Sequence, residues 1–272
     1  MIWLIIKRIR FFWKKCYADD ISAFASQAAF FIVMSLIPFI ILLISLVQYT
    51  PVTKSMIMEM VNKVMPAYIS PFLINIINEM YQKSVGIISA AGVAAIWSAA
   101  KGIQYLTNGL NRVYDIKETR NWLFLRLRAI FYTLILLIAI VISLTLMVFG
   151  NSLQHFIIKY IPFLAELTQG ILKLRSLILL VILIAFFAVL YKALPNRRAT
   201  LRSQLPGSIM SAIGWSALSF GISVYVDYFN GFSMYGSLTT IVLVMLWLYF
   251  GIYILLVCAE INDSYKEYGN FQ

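Results

Sequence analysis

The chain has 272 residues, 62% of them hydrophobic and only 12% charged, where soluble domains run at roughly half and a quarter. Its mean hydropathy of +0.87 excludes a soluble globule of this size, and 7 Pro, 13 Gly and 2 Cys exclude disordered, collagen-like and disulfide-rich classes. The formal net charge of +11 would point to nucleic acid on a soluble chain; on an apolar one it is first a topology signal.

Residues 1–20 form an arm. Lys7, Arg8, Arg10, Lys14 and Lys15 share one arc of a helical wheel, and Ile2, Ile5, Ile6, Ile9, Phe12 and Trp13 share the opposite one. The pattern predicts an amphipathic helix in the membrane interface, drawn to anionic lipid and acting mainly as a topology anchor. Ile2–Ile6 is too short for the apolar region of a signal peptide. Asp19, Asp20 and Ser22 offer N-cap chemistry for the helix that follows.

Six apolar stretches then predict six membrane-spanning helices: Phe24 to Val47, Val85 to Leu106, Ala129 to Phe149, Leu177 to Leu194, Gly207 to Phe229 and Ser237 to Ala259. Six such spans occupy the chain as one membrane domain over residues 1–272 and leave no separate catalytic domain. Pro38 lies within the first span, where it removes a backbone hydrogen bond and kinks the helix, as a hinge or as a static bend. Between the first two spans, Tyr68 to Tyr81 carries Ile69, Phe72, Leu73, Ile76, Ile77 and Met80 at helical spacing, an amphipathic helix. His155 to Lys173, broken by Pro162, is a second such segment. Both either roof a cavity or lie on lipid.

Lys and Arg divide unequally among the connections. Fifteen fall on the side of the termini, six on the other, and Lys101 lies near the end of the second span. The excess of positive loops inside places both termini in the cytoplasm and absorbs the basic charge, so nucleic acid is not expected as a partner. Cys16 and Cys258 fall on that reducing side and read as packing residues.

In the second span Gly86, Ala90, Ala94, Ser98 and Gly102 recur every four residues, beside Ala91, Ala95 and Ala99. Such a face lets helices approach closely where lipid supplies no hydrophobic drive, so this helix is expected at the bundle's centre. The fifth span carries Ser208, Ser216, Ser219, Ser223, Asp227 and Asn230. These either bond within the bundle or line a polar path for a headgroup or ion. Lys101 and Glu260 lie near the inner ends of their spans, where ionisable groups draw functional attention. Trp97-Ser98-Ala99 in the second span echoes Trp215-Ser216-Ala217 in the fifth, which fits an inverted three-plus-three repeat.

Several classes fall away. One histidine, His155, and few carboxylates argue against a metal centre. There is no nucleophile elbow, phosphate loop or dinucleotide fingerprint, so no cofactor and no enzyme activity are expected.

Asp20-Ile-Ser-Ala-Phe-Ala-Ser-Gln-Ala-Ala-Phe-Phe with Ser35-Leu-Ile-Pro38, Trp97-Ser-Ala-Ala-Lys-Gly102 and Gly109-Leu-Asn-Arg-Val-Tyr114 stand in order along the chain. Leu194-Pro-Asn-Arg197, Leu205-Pro-Gly207, Tyr235-Gly-Ser237, Leu246-Trp-Leu-Tyr249 and Ala259-Glu-Ile-Asn262 follow. This series resembles the YihY/BrkB family of bacterial inner-membrane proteins, also catalogued as ribonuclease BN-like. The resemblance implies six spans, both ends inside and a basic residue at Lys101; Cys258 stands where Gly is expected before Ala-Glu. The ribonuclease label fits poorly, because hydrolysis of RNA needs a metal cluster or an acid–base pair in an RNA-reaching groove. The reading that follows is a transporter- or flippase-like protein for a lipid or other amphipathic envelope component. Ser216, Ser219, Ser223 and Asp227 would line its path, and Lys101, Asn111, Arg112 and Glu260 would sit at its inner mouth. The alternative is a structural or assembly protein with no transported substrate.

Overall fold

A computed structural model of the chain describes residues 2–47, 53–64, 70–80, 85–134, 175–229 and 237–269. The described residues hold helices and no strand. In order these are α1 (Ile2–Ala18), α2 (Ile21–Val47), α3 (Lys54–Val64), α4 (Ser70–Met80), α5 (Val85–Val113), α6 (residues 122–134), α7 (Arg175–Ala193), α8 (Leu201–Phe229) and α9 (Ser237–Gly269).

Five of the six predicted spans fall on α2, α5, α7, α8 and α9. The third is helical through residue 134 as α6. Its remainder, Asn230 and the His155–Lys173 segment lie outside the described residues. The predicted amphipathic segment after the first span is helical as α4. A second helix, α3, precedes it and was not anticipated. Thr53 caps it through the amides of Met56 and Ile57, and Ser70 Oγ donates to Asn62 Oδ1 at 2.5 Å to tie α3 to α4.

Among the described residues, two helical stretches are long and apolar enough to cross a membrane, Leu201–Val226 and Ile241–Ser264, with mean hydropathies of 1.5 and 2.7. Arg10–Ala18 and Ile21–Leu36 make a third only if the pair, bent by 51°, counts as one span. Just 17% of the apolar window of α8 is buried. Ile209, Ile213, Phe220 and Val224 face outward, as expected where the bilayer is the solvent.

The bend has a local cause. Asp20 is left-handed, with φ 51°, and its amide donates to Tyr17 O at 3.2 Å, which closes α1. The Asp20 carbonyl then accepts from Phe24 N and opens α2. α1 rests on the bundle through Phe12 and Cys16, whereas Trp3, Ile6, Phe11 and Trp13 are exposed.

The core joins α2, α5 and α9. Ala25, Ala28 and Ala29 of α2 meet Ala100, Ile103 and Leu110 of α5 and Leu255, Leu256 and Ala259 of α9. Close approach is the reason for the small residues. A Cβ on Gly102 would lie 2.6 Å from Ile32 Cγ1 and 3.3 Å from the Ala28 carbonyl. The seam runs through Ala95, Ala100 and Gly102, all buried. Ser98 is half-buried and donates to Phe31 O at 3.3 Å, while Ala94 is exposed. Gly86 and Ala90 fall outside the residues whose packing is described. Pro38 sits inside α2.

Candidate functional site

The start of α2, the end of α5, the start of α6, the end of α7, the start of α8 and the end of α9 converge at one end of the bundle. Arg112, Lys117, Arg120, Arg128, Lys192, Arg197, Arg198 and Arg202 belong to these helix ends and the turns between them. We call it the basic end. Three polar clusters hold it together.

The first is built on the turn that ends α5. Asp115 is left-handed, with φ 48°. Its amide donates to Arg112 O at 3.1 Å, and Ile116 N donates to Asn111 O at 2.8 Å. That is a Schellman closure, and it brings Glu118 back over Asn111. The buried Asn111 donates from Nδ2 to Glu118 Oε2 at 2.7 Å and accepts at Oδ1 from Asn196 N at 2.8 Å. Arg120 grips the same carboxylate through Nε at 2.7 Å and Nη2 at 2.6 Å. Those Arg120 bonds hold the Glu118 carboxyl below its ordinary value of 4.5.

The second cluster centres on Gln204. Its Oε1 accepts from Tyr114 OH at 3.3 Å and from Arg197 Nη2 at 3.1 Å, and Asn262 Nδ2 approaches to 3.5 Å. The Arg197 guanidinium lies 3.2 Å from the Tyr114 ring centre. Burial pushes the Tyr114 hydroxyl up to about 12. Gly207 N donates to Asn262 Oδ1 at 2.7 Å. A Cβ there would stand 2.4 Å from the Cys258 carbonyl, so only glycine lets α8 touch the backbone of α9.

The third cluster pins α1 to the end of α9. Lys15 Nζ is 2.5 Å from Glu260 Oε1 and 2.9 Å from Asp263 Oδ2, with the Glu260 side chain at 0% exposure. The contact is ionic, as neither Glu260 oxygen receives a well-directed hydrogen bond. Arg112 lies 3.6 Å from Asp19 and donates to the Ala18 carbonyl at 3.2 Å. Asp19 thus serves this pair rather than an N-cap, and burial raises its carboxyl.

Beside the first cluster, between α5, α6 and the end of α7, is a narrow, partly open cleft. Gln104, Thr107, Arg120, Arg128 and Tyr132 line it, with Leu125 and Leu194 as apolar wall. Arg128 donates to the Ala193 carbonyl and, through Nε, to Tyr132 OH at 3.3 Å. The buried Arg126 stacks on Trp97, 3.8 Å from the ring centre. It donates to Trp97 O at 2.8 Å and reaches Gln104 Oε1 at 3.5 Å.

The predicted site residues are dispersed. Lys101 Nζ sits 4.9 Å over the Phe31 ring. It lies about 15 Å of helix rise from Asn111. Asn111 and Glu260 are buried in different clusters, and Arg112 is exposed. Ser219 accepts from Trp247 Nε1 at 3.1 Å, a packing contact between α8 and α9. Ser216 and Ser223 are exposed, and the Asp227 side chain lies outside those described. Trp215 packs on Phe187 and Trp247, whereas its sequence echo Trp97 carries Arg126. Lys15, Gln104, Arg120, Arg126, Arg128 and Gln204 were missed as functional candidates. Their signal was modest: charged or amide residues within a turn or two of a predicted inner helix end. Among the described residues, no three His, Cys, Asp or Glu gather as a metal site. Cys16 and Cys258 are buried free thiols.

The sequence profile of a family described as "Virulence factor BrkB" matches residues 12–271. The chain belongs to the BrkB family. A ribonuclease-like protein named YfkH, from Bacillus subtilis (strain 168), is 28% identical over 240 residues, covering 88% of this chain and 87% of that protein. A UPF0761 membrane protein of Alteromonas mediterranea is 27% identical over 264 residues, covering 94% and 86%. Another, of Pseudoalteromonas atlantica, is 25% identical over 279 residues, covering 93% and 84%. No solved structure matches the chain. It is therefore a membrane protein of the BrkB/UPF0761 family. The stretches that resemble the family supply much of the polar wiring: Asn111 and Tyr114, Asn196 and Arg197, Gly207, and Glu260 and Asn262.

Proposed function

We propose that this BrkB-family protein is a transporter- or flippase-like handler of a lipid or other amphipathic envelope component. The cleft at the basic end carries the reading. It offers cationic and amide groups beside α6, whose Trp122, Phe124, Leu127 and Phe131 are exposed to the surroundings of the bundle. Headgroup chemistry and lipid contact thus adjoin. In this reading the basic end faces the cytoplasm, and six spans cross the bacterial inner membrane as one domain over residues 1–272. The halves form an inverted repeat, Pro38 is a hinge, and α1 lies on anionic inner-leaflet lipid. The ribonuclease-like name of the Bacillus subtilis relative is not carried over, because this chain's polar residues are used in wiring helices together. We read it as no enzyme.

The test is reconstitution in vesicles of phosphatidylethanolamine and phosphatidylglycerol, followed by translocation of fluorescent lipid. Protein-dependent translocation is expected. A rate equal to that of protein-free vesicles overturns the reading. The packing of Ser219 on Trp247 favours a second reading, a non-transporting assembly protein. That reading requires a stable membrane partner in mild detergent and no translocation.

A further inference from the structure

We infer that the cleft between α5, α6 and the end of α7 is an anion site for the phosphate-class headgroup of an acidic lipid. Arg128 and Arg120 are its cationic groups, and Gln104 and Tyr132 its neutral partners. As a statement about substrate this rests on the transport reading; as a binding site it stands on the cleft alone.

The charge is unbalanced. Arg120 and Arg128 line one cleft, Arg126 stands next to it on Trp97, and Glu118 pairs only with Arg120. Among the described residues, no carboxylate lies within 4 Å of the guanidinium of Arg126 or Arg128. They are held instead by carbonyls, a hydroxyl and an indole ring. Neutral acceptors orient a guanidinium and leave its charge in place, which is how a prepared anion site is built.

The donor count agrees. Arg120 spends Nε and Nη2 on Glu118, with Nη2 also 3.4 Å from Leu194 O, while its Nη1 is buried with no hydrogen-bond acceptor. Buried donors in want of an acceptor are unfavourable, and a phosphate oxygen supplies several lone pairs at once.

The surroundings select a lipid over a free anion. Leu125, Ala129 and Leu194 form the cleft's apolar wall. Trp122, Phe124, Leu127 and Phe131 are exposed along α6, an apolar flank suited to acyl chains once the headgroup is seated. Lys101 and Arg112 are no rivals, as Lys101 lies over Phe31 and Arg112 beside Asp19.

The experiment uses the full chain in mild detergent with equimolar phosphatidylglycerol and phosphatidylcholine, read by native mass spectrometry. Wild type and Lys101→Gln are expected to retain phosphatidylglycerol over phosphatidylcholine by about tenfold, and Arg128→Gln and Arg120→Gln to lose most of that preference. A competition on wild type with inorganic phosphate needs no variant to fold. Weak displacement of phosphatidylglycerol supports the lipid source. Phosphate binding without phosphatidylglycerol retention overturns the lipid assignment. Equal retention of both lipids by wild type, or full preference in Arg128→Gln, overturns the site. Phosphatidylglycerol retention without translocation would sink the transport reading and leave the site standing. Translocation indifferent to headgroup and to Arg128→Gln would do the reverse.

Discussion

Two regions of this chain look polar in sequence, and the fold treats them in opposite ways. At the basic end, Asn111, Gln204, Asn262 and Lys15 each bind a side chain from another element: Glu118, Tyr114, Gln204 and Glu260 in turn. Along α8, Ser216 and Ser223 are exposed, and Ser219 receives the indole of Trp247. A serine inside an apolar helix can rest on its own backbone at little cost. A buried carboxylate or amide cannot, and must recruit partners from other helices. Polar residues that demand partners therefore show where a membrane bundle is wired, and those that tolerate solitude do not.

The contrast can be broken by substitution. Lys15→Met should be the most damaging change, because it leaves Glu260 charged and buried without its partner, at about 3–5 kcal/mol. The double variant Lys15→Met/Glu260→Met should recover most of it, measured by unfolding in detergent. Gly207→Ala follows at about 2–3 kcal/mol, since the new Cβ would meet the Cys258 carbonyl at 2.4 Å and that backbone cannot yield. Asn111→Ala removes hydrogen bonds to Glu118 and Asn196 and should cost about 1–2 kcal/mol.

Acid gives a smaller, graded effect. Arg120 depresses the Glu118 carboxyl below its ordinary value of 4.5. Its contribution is therefore complete above that value and is lost as the pH falls through the depressed one. Melting temperatures of wild type and Glu118→Gln should converge on acidification; a constant gap would refute the pairing. Smallest of all, Ser216→Ala and Ser223→Ala should change stability by no more than about 0.5 kcal/mol.

Helices and their order were legible because apolar run length is a strong signal. Five predicted spans fall on α2, α5, α7, α8 and α9, and Ala100 and Gly102 of the second span pack against α2. The helix α3 was hidden because the lysines and glutamate of Lys54–Val64 dilute its apolar stripe. The site was less legible for a different reason. Lys101, Asn111 and Arg112 share one helix, but rise and helical phase give each a different partner. Arg128 and Gln104 belong to separate helices that meet only in the fold. Arg126 looked like a topology charge in a basic loop, and only its seat on Trp97 shows it buried. Spacing along one helix can be read from sequence; convergence of several helix ends cannot.

The most direct test of function at the basic end is translocation of fluorescent phosphatidylglycerol in proteoliposomes by wild type, Arg128→Gln and Ser219→Ala/Ser223→Ala. The account predicts that Arg128→Gln slows translocation about tenfold, the loss of one strong charge-assisted contact, while the serine double variant keeps the wild-type rate. A fast Arg128→Gln beside a slow serine variant would contradict it and move the path to α8.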